Sequence, residues 1–270
     1  MIFRQNDELN LAIESKFQAR NEKQFALQKT IVSHLAIPNL IGFWPMSSAD
    51  TANNGDCFDT SGAGRTLSNI NTVEFGYDGI IPISSFSTTP SQTRLMRVDE
   101  AGTSITGTET YVVSGQRGIT LGGWFRFDND LPASFETLLG KWLASGNQRS
   151  FLLFKTTTGS IRFNISSDGS SGGITLVEAT SSVGANQWCK IDVRYKPSTE
   201  LKIFIDGVST INTTSIPASV FDSSAELSIG GISTGNSLDG ISSMCYLSAS
   251  TLDDALIQNL YHSGKPLYQG

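Results

Sequence analysis

The chain has 270 residues, with 19 basic against 25 acidic side chains, a formal charge of −6 and a pI near 4.9. That balance leaves no basic stripe of the kind that holds nucleic acid, and no apolar run approaches the roughly 20 residues that span a bilayer. Only 16% of residues are charged and 26 are glycine, a composition that suits short strands and many turns better than helical bundles.

The N-terminal stretch MIFRQNDELNLAIESK breaks its apolar character with Asn, Asp and Glu, unlike a secretory leader. Residues from Asn6 to Leu35 instead read as a helix, capped by Asn6 or Asp7 with Glu8 in its first turn. Leu9, Ile13 and Phe17 form one apolar stripe and Leu27, Ile31 and Leu35 another, with Arg20 and Gln24 breaking the register between them. Some 30 residues make a rod of about 45 Å. Such a rod packs along its own domain or against a neighbouring subunit, and the narrow stripe suits the second. Residues 1–37 are therefore expected to be an anchor or oligomerisation segment, and 38–270 a β domain. Pro38 ends the helix.

Leu40 to Pro45 opens the β domain, followed by a loop from Ser47 to Gly64. In that loop Asp59 is placed to accept hydrogen bonds from following backbone N–H groups. Residues 70–118 are the least legible, with short strands expected only around Ser84–Phe86 and Thr93–Val98. Strands then read clearly at Ile119–Phe127, Thr137–Trp142, Ser150–Lys155, Ser160–Ile165 and Ile174–Glu178, punctuated by glycines as an antiparallel meander requires. From Asn186 to Val208, Cys189, Ile191, Val193 and Tyr195 alternate with Trp188, Lys190, Asp192 and Arg194, and Leu201, Ile203 and Ile205 continue on a second strand. Pro197 lies in the turn between them, and Asp206-Gly207 offers a tight reversal afterwards. Ala225–Gly231 and Leu238–Leu247 are further strands. Asp253 caps a closing helix expected from Asp254 to His262, with Gly264 beyond its end.

These stretches, LIGFWPM, DTSGAGRTL, RGITLGGW, PSTELKIFIDGV and AELSIGG, resemble in order and spacing the laminin-G-like, concanavalin A-like jelly roll over Leu40 to Gly264. The resemblance implies a two-sheet antiparallel sandwich. LIGFWPMSS, RGITLGGW, PSTELKIFIDGV and TTSIPASVF are moreover similar to segments of tailed-bacteriophage structural or adhesion proteins. That likeness implies a non-enzymatic virion protein of head or tail, made in the host cytoplasm, binding other virion proteins through its N-terminal helix, self-associating, and displaying a lectin-like surface to host glycans. The alternative is a free carbohydrate-binding module, and less so a domain related to glycoside hydrolases.

Catalytic chemistry is sparse. The two histidines, His34 and His262, lie near helix ends where a positive charge is favoured. Glu136, Glu178, Glu200 and Glu226 are isolated, without the paired carboxylates of glycoside hydrolysis. Cofactors are expected to be none. Calcium at Asp56 and Asp59 is the one metal to weigh, and it needs more oxygens than this loop shows. Among the four tryptophans, Trp44, Trp124 and Trp188 read as packing residues, and Trp142 as the exposed candidate for sugar stacking, with Asn147 and Arg149 beside it. Of the three cysteines, Cys189 and Cys245 sit in strand patterns and read as buried thiols, as a reducing compartment allows.

Overall fold

The computed structural model describes residues 15, 18, 22–46, 55–71, 73–78, 81–86, 95–98, 105–108, 116–233 and 235–269. A helix, α1 (residues 22–35), precedes the strands. They run β1 (Leu40–Trp44), β2 (Ser68–Ile70), β3 (Glu74–Asp78), β4 (Ile81–Ser85), β5 (Leu95–Val98), β6 (Arg117–Phe127), β7 (Glu136–Leu143), β8 (Gln148–Lys155), β9 (Ser160–Ser166) and β10 (Ile174–Ser182). Then come β11 (Trp188–Lys196), β12 (Glu200–Ile205), β13 (Val208–Asn212), β14 (Leu227–Ile229), β15 (Gly240–Ser250) and the helix α2 (Asp254–Tyr268). One sheet has eight strands in the order β13-β12-β11-β6-β15-β4-β3, with β1 also on β15; the other has seven, β10-β9-β8-β7-β14-β5-β2. Every pairing between these strands is antiparallel. The result is a mainly β, two-sheet jelly-roll sandwich with a helix at either end of the chain.

The hairpin read from alternation forms in that register: Ile191, Val193 and Tyr195 face Ile205, Ile203 and Leu201 across β11 and β12. Asp206 and Gly207 take positive φ angles of 49° and 80°, turning β12 directly into β13. Between the sheets, Leu121, Phe125, Leu139, Phe151, Leu153, Phe163, Ile191, Val193 and Leu247 belong to one apolar core. All three cysteines are buried thiols, and burial holds those of Cys189 and Cys245 well above the ordinary range.

A second cluster lies on the outer face of the eight-stranded sheet. There Phe43, Trp124, Phe204, Met244 and Tyr246 meet Ile257, Leu260 and Leu267 of α2, with Ala26, Leu27 and Ile31 of α1 packed against them. Burying each large aliphatic side chain is worth about 1.5–3 kcal/mol. This burial explains why α2 runs past its expected end at His262 to Tyr268, through Pro266. Tyr268 stacks on Trp124 with ring centroids 4.2 Å apart. Gly264 lies where a Cβ would come within 2.6 Å of the Trp124 ring, so its lack of a side chain serves close packing and not helix termination.

Part of the N-terminal helix packs on the same face. Contacts of residues 26–34 cross the expected boundary at 37/38. Thr30 is fully buried and donates to the Ser263 carbonyl of α2 at 2.9 Å. Leu27 and Ile31 are half-buried on the sandwich, whereas Leu35 is 45% exposed. Leu9, Ile13 and Phe17 lie outside the described residues. The positive charge expected of His34 at neutral pH is disfavoured, because the ring is buried and its pKa is lowered to about 3, through burial first and the nearby Lys190 second.

Candidate functional site

The outer face of the seven-stranded sheet carries no helix among the described residues. Strand alternation sends Phe151, Leu153 and Phe163 to the core and turns Leu152, Phe154, Arg162 and Asn164 outward. Leu152, Phe154 and Ile232 form a third apolar cluster with the half-buried Phe135 and Trp142. The Phe135 and Phe154 rings meet edge-on at 5.2 Å. Arg162 lies 5.8 Å over the Phe154 ring and donates twice to Glu178 Oε2, at 3.0 and 2.6 Å. Between Leu152 and Leu176 in register, Asn164 leaves its buried Oδ1 without a partner.

At the end of this face β7 and β8 are joined by a tight 3-10 turn, Ser145–Asn147. The turn brings Trp142, Asn147 and Arg149 together. Trp142 and Arg149 are register partners: Trp142 shares the outward parity of Gly140, and a bulge that leaves Ser150 unpaired turns Arg149 outward beside it. The Arg149 guanidinium carbon sits 6.0 Å from the Trp142 ring centroid. Its Nη1 donates to Asn147 Oδ1 and to the Gly169 carbonyl, both at 3.2 Å. Asn147 holds a left-handed φ of 55°, which asparagine tolerates better than most residues. Gln148 fixes the neighbouring loop by accepting from the Ser224 N–H and hydroxyl at 2.8 and 3.0 Å. Beside Trp142 opens a hollow of about 250 Å³ lined by Leu143, Ser224, Ala225, Glu226, Ser228 and Ser233. An aromatic flank, a fixed guanidinium, a side-chain amide and serine hydroxyls suit a polyhydroxylated ligand.

Asp56 and Asp59 take a different role. Asp59 Oδ1 accepts from the backbone N–H of Phe43 (3.0 Å) and Ser61 (2.9 Å), and Oδ2 from that of Arg65 (3.0 Å). Asp56 Oδ1 accepts from the Asn69 N–H at 3.1 Å. Both carboxylates thus tie their loop to β1 and β2, the first as an Asx turn. Among the described residues, no group of three or more His, Cys, Asp or Glu is placed to hold a metal ion. Ser243 is buried; its hydroxyl donates to the buried Pro82 carbonyl and pairs with Oη of Tyr268, the last residue of α2.

Two further places hold unusual polar groups. Glu136, read from sequence as isolated, is buried at 4% exposure and has one carboxylate oxygen without a partner. Burial raises its pKa to about 7; Lys155 opposes that rise, and Asp239 and Asp128 add to it. Lys155 is itself buried, its ammonium 4.3 Å from the Phe127 ring and bonded to the Asn129 carbonyl. Nothing in strand alternation marked these groups, because the loops that cover them come from distant sequence. A larger hollow, about 620 Å³, lies between Arg126, Asn186, Trp188, Asp206 and Tyr268. Its Trp188 is only 8% exposed, flanked by Arg126 at 5.7 Å and Tyr268 at 4.9 Å, and so offers no open aromatic face.

Comparison with known proteins agrees with this architecture. Residues 99–255 match the laminin-G family described as the concanavalin A-like lectin/glucanases superfamily. No curated protein matches the chain in sequence. Among solved structures, the binding domain of botulinum neurotoxin DC in complex with rat synaptotagmin II superposes with a TM-score of 0.61 at 13% identity, covering 83% of this chain and 51% of that one. The binding domain of Paraclostridial Mosquitocidal Protein 1 gives 0.62 at 12% identity, over 83% and 52%. A structure described as showing that cell entry of botulinum neurotoxin type C depends on two ganglioside molecules gives 0.60 at 14%, over 83% and 51%. The chain spans about half the length of these structures, and at such identity the likeness is one of fold. With the sandwich topology in place and more than half of its 270 residues inside the family match, the chain belongs to the concanavalin A-like lectin/glucanase superfamily.

Proposed function

We propose that the chain is a non-enzymatic, lectin-like binding protein of a bacteriophage virion, presenting the open face of its seven-stranded sheet to a glycan of the host surface. The observation that carries this reading is the grouping of Trp142, Asn147 and Arg149 at the end of a sheet face that no helix covers among the described residues, where the half-buried Trp142 ring borders a hollow of about 250 Å³. Family membership supports a lectin-like role, as does the ganglioside dependence described for a structural neighbour. The phage setting rests on the likeness of LIGFWPMSS, RGITLGGW and TTSIPASVF to virion proteins. In that setting the N-terminal segment joins other virion proteins and sister copies, through a side of α1 that leaves Phe25 70%, Val32 65% and Leu35 45% exposed.

Binding without hydrolysis fits the carboxylates near the face. Glu178 is held by Arg162, Glu136 is enclosed, and Glu226 is the one carboxylate in the lining of the hollow beside Trp142, without the second carboxylate that flanks a glycosidic bond in glycoside hydrolases. Calcium is not required, since Asp56 and Asp59 are occupied by backbone N–H groups. The test incubates the protein with host surface polysaccharide and follows both co-sedimentation and reducing ends, with and without a chelator. Chelator-independent co-sedimentation without reducing-end release is expected. Release in proportion to protein would make it a hydrolase. Labelled antibody imaged on particles tests the virion setting, and absence from the particle would favour a free lectin module.

A further inference from the structure

His34 is the ionisable residue among those through which α1 meets the sandwich. Its ring lies flat on Phe43, centroids 5.0 Å apart and 13° from parallel, and edge-on to Tyr246 at 5.6 Å. Nδ1–H donates to the Thr30 carbonyl at 2.8 Å, which leaves Nε2 as a lone pair, and that atom is buried without a partner. The groups facing it from the sheet are Lys190 and Asp192 of β11 and Tyr246 of β15. Lys190 and Asp192 are buried and paired with each other, and the Tyr246 hydroxyl donates to Asp192 at 2.9 Å. Lys190 also sits 5.0 Å over the Tyr246 ring. From α2 the contact is Ser263, reached through Thr30, while His262 and Lys265 are exposed. The cluster under α1 is therefore electrically balanced only while His34 is neutral.

We propose that α1 is an acid-released latch: docked on β1, β15 and α2 at neutral pH, it lets go when His34 takes a proton, while the sandwich beneath stays folded. A proton on Nε2 creates a second N–H with no acceptor and a net positive charge in an enclosed aromatic site beside Lys190. Both penalties vanish once the helix leaves and water reaches the ring. The sign follows from the docked pKa of about 3 against the ordinary 6.5. Between those values the undocked state binds more protons, so docking is fully present above pH 6.5 and weakens as pH falls. The docking equilibrium drops by up to tenfold per pH unit, about 100-fold at pH 4.5. What is released is a helix whose Ala26, Leu27 and Ile31 then join Phe25 and Val32 as exposed apolar surface.

Hydrogen exchange of the full chain at pH 7.5 and 4.5, corrected for intrinsic rates, tests this. Peptides covering 22–35 are expected to lose protection ten- to 100-fold in acid while β6, β11 and β15 keep theirs. His34→Phe, which preserves the stack on Phe43, is expected to abolish the acid response. Unchanged protection of 22–35 in the wild type, or the same acid opening in His34→Phe, overturns the proposal. Should His34→Phe undock at both pH values, the two-histidine composition supplies a second readout. In His262→Asn the remaining ring signal belongs to His34. Titration only as α1 opens supports the latch, whereas titration near pH 6.5 with α1 still protected contradicts it.

Discussion

On the eight-stranded sheet the outward residues of β6, β11 and β15 include Trp124, Lys190, Asp192 and Tyr246, and α1 and α2 lie over them. On the seven-stranded sheet the outward residues include Leu152, Phe154, Arg162 and Asn164, and no helix among the described residues lies over them. The covered face uses its polar groups internally: Lys190 pairs with Asp192, and Arg194 bridges Glu200, the Leu252 carbonyl and Asp254. Asp254 in turn binds Lys202, and although burial alone would raise its pKa, Lys202 and Arg194 hold it below the usual range. The open face keeps its Arg162–Glu178 pair partly exposed beside the buried Phe154 ring. One face is closed by charge pairing and apolar cover, and the other is the face proposed to meet a ligand.

The largest expected effect comes from breaking the closed face. Asp192→Ala leaves the Lys190 ammonium buried and unpaired, and unfolding in urea is expected to show a loss of about 3–5 kcal/mol. A loss under about 1 kcal/mol would mean that Lys190 reaches water and that the face is not closed. Next in size is a pH effect on the inner side of the open sheet. Because the Glu136 pKa is raised from 4.5 to about 7, the folded state holds a proton that the unfolded state has lost, so stability falls as pH rises between those values. Relative to Glu136→Gln, wild-type stability should drop by about 3 kcal/mol from pH 4 to pH 8. A flat difference would place Glu136 in contact with solvent.

Smaller effects are expected on the open face itself. Trp142→Ala should change stability by about 1 kcal/mol or less, as its ring is only half-buried, while polysaccharide affinity falls at least tenfold, about 1.4 kcal/mol. The reverse pattern would make Trp142 a packing residue. Least of all, Glu178→Gln removes a partly exposed ion pair with Arg162. Thermal melting should register less than about 1 kcal/mol, and a greater loss would show the pair buttressing the sheet.

Alternation and turn residues made the central strands legible from sequence. The β11–β12 hairpin and the Asp206-Gly207 reversal follow from residue type alone. Residues 70–118 were not legible because β3 to β5 are only four or five residues long and β3 is mostly half-exposed, too short for a period to emerge. Helix α2 outran its expected end because Tyr268 and Leu267 gain burial that outweighs Pro266. Lys141, Lys155, Lys190 and Asp192 lie in strands whose alternation does not say what covers each face, and all are buried. The candidate site was legible where its parts are close in sequence. Trp142, Asn147 and Arg149 share one turn, whereas Asn164, Phe154 and the Ser224–Ser233 side of the hollow join them only through strand pairing.

The most direct measurement is a hydrogen-exchange footprint of the protein bound to purified oligosaccharides of the host surface, set against the free protein. Added protection on β7, β8, β9 and the Ser145–Asn147 turn, lost in Trp142→Ala, is the predicted result. Protection confined to the hollow around Trp188 and Asp206, or a footprint that Trp142→Ala leaves unchanged, would contradict the assignment of the open face as the binding surface.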